Sequence, residues 1–467
     1  MNRQPKFIQT IAICGLLAAT LSVSLNVGLT QTVAHASPNA KPLAAITATP
    51  AKKAVELLPQ PKSGFPQGIA PERARVDLIK PTFTNPGTIT NALLPFTQVD
   101  QIVQVGQKDG LPHRTELTLL PTGKTSNWLG HETNVRALQF VAYLDGRILE
   151  TAVDYVAQAD DGAVWYFGED VNNYTDGKIA NTAGTWQAGK DVPPAMIMPA
   201  NPKIGNAYRI ENIPGLVFEE ATVKAINQTI EGPRGLLSGV MFVEQIGLDG
   251  KSTVKAFAPG YGEFLAHSED AAVALPTDAT KAPMPTELKI LLTEAMNLMM
   301  APDPKNWQTI STTLQTMTDA WDAYSASKTS EKLQLLNSQF ERAFNNLIEG
   351  SKEFDIKDIH HAAFDVAVAV IDLQMPYRSV AESDLTRLTL WANRIQGDSL
   401  EGTASDVAGD FVVVELIVNR NAHHLDAAKV KELQALIATL RKAANGKDGV
   451  TQEALVKLIA TLKMNTP

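Results

Sequence analysis

The apolar positions of this chain change period twice, and each change marks a different kind of structure. From Phe7 to about Leu29 nearly every residue is apolar or small. From about Gly87 to Ala271 the apolar residues fall into short strand-like runs, such as Val135 to Tyr143, Arg147 to Gln158 and Ala163 to Phe167. Asp-Gly pairs punctuate this region, at Asp109-Gly110, Asp145-Gly146, Asp161-Gly162, Asp176-Gly177 and Asp249-Gly250. Glycine accepts the positive φ of the tight turns whose twist suits a hairpin, so the pattern predicts a meandering antiparallel sheet, closed as a barrel or folded as a sandwich.

Beyond Thr286 the period becomes helical: Leu288, Leu291, Leu292 and Ala295, then Trp307, Ile310, Leu314, Met317 and Trp321, then Leu333, Leu336, Phe340, Phe344 and Leu347. Further helices are predicted over 358–375, 382–396, 403–422 and 426–444, with a short one over 451–463; Pro376, Gly397, Gly402 and Asn445-Gly446 supply the breaks. The fold class is α+β by domain, an antiparallel all-β meander followed by an all-α antiparallel helical bundle. The boundaries read 1–36 for an export signal, 37–86 for a Pro- and Ala-rich tether or extended arm, 87–272 for the β domain, 273–285 for a linker and 286–467 for the bundle.

The first apolar run is preceded by Arg3 and Lys6 and followed by Ala34-His35-Ala36, the layout of a signal peptide cleaved before Ser37. Thr20, Ser22, Ser24 and Asn26 interrupt the run and argue against a membrane anchor. Cys14 follows Ile13, where a lipoprotein signal carries a small residue. The expected location is therefore secreted, periplasmic or cell-envelope, with no transmembrane segment once the signal is removed.

Composition narrows the function. The 467 residues are 44% hydrophobic and 19% charged, enough apolar material for two cores. A net charge of −9 and the lack of any basic run exclude a nucleic-acid binder, which needs a cationic face for phosphates. Cys14 is the single cysteine, so the chain after the signal has neither disulfides nor thiol chemistry.

The β region carries Ala163-Val164-Trp165-Tyr166-Phe167-Gly168-Glu169-Asp170, then Gly184-Thr185-Trp186-Gln187-Ala188-Gly189, Ile197-Met198-Pro199-Ala200-Asn201-Pro202-Lys203-Ile204-Gly205, Tyr208-Arg209 and Ala258-Pro259-Gly260-Tyr261-Gly262. In this order and spacing, residues 87–266 resemble a family of exported bacterial proteins and lipoproteins of unassigned function. The resemblance implies export and an envelope setting, and brings no chemistry with it. The sequence departs from that pattern at Leu93-Leu94-Pro95-Phe96-Thr97 and Gln101-Ile102-Val103, where the first strand of such proteins is aromatic.

Candidate chemistry in the β region centres on Glu169 and Asp170, with Glu219-Glu220 after the Pro214-Gly215 turn. Two carboxylates can hydrolyse a glycoside if they flank the bond, although adjacent acids at a strand end point to opposite faces. Otherwise Glu169 or Asp170 holds a loop by accepting backbone N–H groups. Trp165, Tyr166, Trp186 and Tyr208 line a ligand cleft or pack a core. His113, His131 and His267 are isolated, and there is no nucleophile elbow or phosphate loop.

In the bundle, His360, His361 and Asp365 suggest a metal ion, the only cofactor the residues point to, with His361 and Asp365 on one helical face. His423-His424 form a second pair at the end of a later helix, where histidines also suit the macrodipole; ~20 Å of helix separates it from the first, so the pairs cannot share an ion. Asp398 and Asp406 lie at the His360 end and Asp384 at the His423 end. The bundle is similar to exported helical proteins of the imelysin and iron-uptake class, yet lacks their histidine-x-x-glutamate. Asp365 and Asp372 are seven apart, as are Arg387 and Arg394 on the next helix, which predicts an antiparallel ladder of structural ion pairs. Together these features suggest an exported, non-catalytic protein that binds a small molecule, a glycan or an envelope protein. The alternatives are an extracytoplasmic glycan hydrolase using Glu169 or Asp170, and a metal-binding bundle.

Overall fold

The computed structural model describes residues 56–189, 192–232, 235–265, 275–276, 283–300, 306–327, 334–353, 355–401, 404–424 and 426–444. The export signal, the first part of the Pro-rich segment, most of the 273–285 joint and the predicted 451–463 helix lie outside these residues.

Strands β1 (Gln101–Lys108), β2 (Leu111–Leu119), β3 (Lys124–Trp128), β4 (His131–Leu144), β5 (Arg147–Gln158), β6 (Val164–Thr175), β7 (Lys178–Asn181), β8 (Trp186–Gln187) and β9 (Ala195–Met198) build one antiparallel sheet. Its backbone order is β1-β2-β4-β5-β6-β7, and the two-residue strand Leu275–Pro276 pairs with β1. The second sheet is a pure meander of β10 (Ala207–Ile213), β11 (Val217–Gly232), β12 (Gly235–Gly247), β13 (Ser252–Ala258) and β14 (Gly262–Leu265). Val156, Trp165 and Phe167 of the first sheet share a core with Tyr208, Met241, Val243 and Phe257 of the second, so the choice between barrel and sandwich falls to a sandwich.

All five Asp-Gly pairs connect consecutive strands. At Asp109-Gly110, Asp145-Gly146 and Asp176-Gly177 both residues have positive φ, as two-residue hairpin turns demand. The strand expected to end at Phe167 instead continues to Thr175. Gly168 makes this possible: at φ 113° it bends the strand, and a Cβ there would strike the Trp186 carbonyl of β8. Glu169 and Asp170 therefore stand inside a strand, which corrects the expectation of a loop.

The described part of the Pro-rich segment is an arm laid on the sandwich. Leu57 pairs with Ile79, Arg75 bridges to Ala207 of β10, and the Asp77 carboxylate accepts from the Arg209 backbone N–H at 3.1 Å.

Among the described residues seven α-helices follow: α1 (Thr286–Met299), α2 (Trp307–Ser325), α3 (Gln334–Lys352), α4 (Ile356–Leu373), α5 (Val380–Glu401), α6 (Ala404–Arg420) and α7 (Ala427–Ala444). They match the predicted periods closely because the caps are local. Asp355 accepts from the N–H groups of Lys357 and Asp358 at the start of α4, and Ser379 and Glu382 form a reciprocal capping box before α5. Helix α4 reads Ala363, Phe364, Val366, Ala367, Ala369, Val370 and Ile371, apolar nearly all round, and it is buried at the centre of the bundle.

The bundle packs on the face of the first sheet turned away from the second. Val103, Val105, Val141, Tyr143 and Ile148 belong to the same apolar cluster as the helices, and Tyr143 stacks on Trp391 with ring centroids 5.8 Å apart. The layers run sheet, sheet, helices. A cut within the joint should therefore leave two pieces that stay associated on size-exclusion chromatography until denaturant is added, with the bundle piece expressed alone aggregating or melting well below the intact protein. Two pieces that separate freely and each melt cooperatively would show that the shared core contributes little.

Candidate functional site

The surface between sheet and bundle is held by charge as much as by apolar contact. Alternation along β2 aims Arg114 and Glu116 at the helices, and α4, α5 and α6 present Asp372, Asp384, Arg387 and Arg420 in return. Arg420 donates to Asp384 through Nε at 2.7 Å and to Glu116 through Nη1 at 3.0 Å. Arg387 Nη2 lies 3.3 Å from Asp372, and its Nη1 lies 3.2 Å from Asp384 and 3.1 Å from Gln101 of β1. Arg114 Nη2 reaches Asp372 at 2.8 Å and Glu116 at 3.2 Å. Three guanidinium groups thus meet three carboxylates. Burial opposes ionisation of Glu116, but Arg387, Arg114 and Arg420 hold its pKa down at about 2.

A second cluster lies where the Asp145-Gly146 turn meets α4, α5 and α6. Arg147 extends from the sheet between Asp398, at 2.5 Å, and Asp406 and Asp410, each at 3.3 Å. Arg394 donates to the Gly146 carbonyl at 2.7 Å and lies over the Phe364 ring. His361 Nε2 is 3.5 Å from Asp398. Burial pushes Asp410 up to about 8 against the pull of Arg394, while hydrogen bonds from His361 and Arg147 outweigh burial and hold Asp398 well below the carboxylate range. Asp365 is exposed to the cleft, but the protein atoms crowded around it raise its carboxyl to about 6, opposed by Arg394 and aided by Asp145. Of the ladder read from the sequence, Asp372 and Arg387 are brought into contact. Asp365 lies within the field of Arg394, whose own contacts go to Gly146, Asp398 and Asp410.

Between the two clusters opens a cleft of about 390 Å³, walled by the β1–β2 hairpin and the Asp145-Gly146 turn on one side and by α3, α4 and α5 on the other. Tyr143, Phe364 and Trp391 line its apolar part, and Arg114, Arg342, Gln339 and Asp365 its polar part. Arg114 Nη1 and Gln339 Oε1 are buried and meet no hydrogen-bond partner. A wider hollow of about 630 Å³ on the sandwich is lined chiefly by loops, around Asn91, Asn201 and Asn227.

The sandwich residues singled out in the sequence occupy other places. Trp165, Tyr166, Trp186 and Tyr208 are buried in the core between the sheets, and neither cavity is lined by them. Glu169 points inward and is buried; Asp170 points outward, where it accepts from Tyr155 Oη at 2.8 Å. Glu169 hydrogen-bonds Glu211, which also accepts from Trp186 Nε1 at 3.1 Å. Nearby, burial raises Asp154 to about 7 although Tyr166 donates to it, and raises Glu219 to about 8 against the opposing charge of Lys255. Glu220 pairs with Arg209 at 3.1 Å. Among the described residues no three His, Cys, Asp or Glu side chains are grouped as a metal ion requires.

Arg114, Glu116, Arg147 and Arg420 escaped the sequence reading. Their signal was nevertheless present: Arg420 ends the run Phe411-Val412-Val413-Val414 to Val418, where a charge must find a buried partner, and Arg114 and Glu116 share one face of β2. No family model, curated protein or solved structure matches the chain, so the function rests on the residues themselves.

Two outcomes follow. Removing Arg387 or Asp372 alone strands a buried charge, so Arg387→Ala and Asp372→Ala should each cost about 3–5 kcal/mol in urea unfolding. The double variant should cost less than their sum, with a remainder from Arg114, which still lacks Asp372; additive losses would rule out the coupling. The pH profile is the second. Asp154, Glu219 and Asp410 hold protons in the fold that the unfolded chain releases near pH ~4, so stability declines as pH rises from there to about 8. Glu116 works in the opposite sense and costs stability as pH falls from 4.5 towards 2. The urea midpoint should peak near pH ~4, and Glu219→Gln should flatten its alkaline decline; a wild-type midpoint that is level between pH 5 and 9 would refute this account.

Proposed function

We propose that this is an exported, non-catalytic binding protein whose ligand occupies the cleft between sheet and bundle. The observation that carries the reading is a hollow of about 390 Å³, within the ~300–1,000 Å³ range of small-molecule sites, whose lining combines aromatic rings with buried polar atoms left unpartnered. The sheet wall is tied by hairpin ladders and the α4 and α5 part of the helical wall by the arginine–carboxylate network, which limits the ordering needed when a ligand arrives. The signal-like first 36 residues and the resemblance of residues 87–266 to exported envelope proteins support the location.

The geometry favours binding over glycan hydrolysis, because Glu169 is buried against Glu211 and Trp186 while Asp170 lies on the opposite face of β6. It also favours binding over metal capture around His361, because the Arg147 guanidinium already sits among Asp398, Asp406 and Asp410.

The test is a thermal-shift screen of the mature chain against a panel of small polar molecules, run beside Ala343→Phe, which places a ring in the cleft from α3. A compound present at 100 times its Kd should stabilise the wild type by about 2.7 kcal/mol and leave the variant unmoved. If every active compound shifts both proteins equally, the cleft is not the site.

A further inference from the structure

We propose that the cleft takes a short peptide with both termini free, about two to three residues long, its carboxylate at the Arg114 end and its ammonium at the Asp365 end. The inference rests on the reading of the cleft as a ligand site and names the ligand class.

The two ends of the cleft differ in sign, and helix α4 measures the distance between them. Asp372 anchors Arg114 at one end. Asp365 stands seven residues earlier on the same helix, about 10 Å away at 1.5 Å per residue. An extended chain advances ~3.3–3.6 Å per residue and a hydrogen bond of ~2.9 Å is made at each end, so two to three residues fill that span more fully than a single amino acid does.

At the cationic end Arg114 has spent Nη2 on Asp372 and Glu116, and its Nη1 meets no hydrogen-bond partner. Arg342, exposed on α3, lines the same cleft and adds a second guanidinium for a carboxylate. The anionic end is the Asp365 carboxylate. It faces Gly146, where an added Cβ would lie 3.3 Å from Asp365 Oδ1 and 3.4 Å from Arg394 Nη1, so the missing side chain at residue 146 leaves room beside both groups. Between the ends, Gln107, Gln339, Asn345 and Asn346 present amides that can both donate to and accept from peptide groups. A neutral sugar would engage neither charged end by charge, and a simple anion would use only one of them.

The experiment incubates the mature protein with a mixed-sequence tripeptide pool, separates the complex by native size exclusion and reads retained peptide by mass spectrometry. The same pool is run N-acetylated and, separately, C-amidated, together with single amino acids and hexapeptides. Free tripeptides should be retained at least tenfold over either capped pool and over the other lengths. Arg342→Ala should remove the discrimination against amidation, and Asp365→Asn the discrimination against acetylation, each without touching the other. Arg114 is left intact because it also holds sheet to bundle. Capped and free pools retained within twofold would overturn the peptide-terminus assignment and leave the cleft reading standing. No retention of any peptide, with a small molecule from the screen still blocked by Ala343→Phe, would overturn the peptide class alone. Failure of both experiments would overturn both.

Discussion

Arg420 and its partners are the constraint on which the rest of this structure depends. The guanidinium is contributed by the last residue of α6, and it reaches Asp384 on α5 and Glu116 on β2 together. Because those groups are buried, none can be released without stranding a charge, so α5, α6 and the first sheet hold one relative position. Arg387 and Arg114 extend the same constraint to α4 through Asp372. Apolar packing alone would tolerate sliding between a sheet and a helical layer. Directional hydrogen bonds to six charged side chains do not, and this fixity keeps the cleft open beside them.

The surplus of acid in the molecule is managed by protonation. The Arg147 cluster holds more carboxylates than arginines, and Asp410 resolves the imbalance by remaining protonated beside Asp398. Inside the sandwich Asp154 and Glu219 do the same, with Lys255 as the opposing charge, and burial raises Glu211 in the same direction. A chain with a net charge of −9 thus buries several acids without burying an equal number of charges. The two regions share a chemistry but differ in access: the sandwich acids lie between two sheets, while Asp365 borders a cleft.

Local signals made most of the fold readable. The Asp-Gly turns needed only the positive φ of two residues, and the helices needed only caps and a three-to-four-residue period, so both could be read without knowing what lies opposite. Where the reading fell short, the cause was distant. The continuation of β6 past Gly168 depends on β8 lying against it, and the place of Glu169 depends on Glu211 across the sandwich. The pairing of Asp372 with Arg387 was legible because a short turn joins their helices. The claim of Arg114 on the same carboxylate was not, since 258 residues separate the two. The cleft was illegible for the same reason, because its lining is drawn from five separated segments.

That separation also sets an order in time. Synthesis delivers Arg114, Glu116 and Arg147 long before their partners, which follow by 258, 304 and 251 residues. At ~5–20 residues per second the sheet face waits about 10–60 s for the helices that cover it. Had that face been wholly apolar, it would spend the interval as an adhesive surface. Charged side chains keep much of it hydrated while it waits, and they give up that water only when the matching helices arrive. The slow, long-range closure expected of such a topology therefore starts from a sheet face that carries charge among its apolar residues.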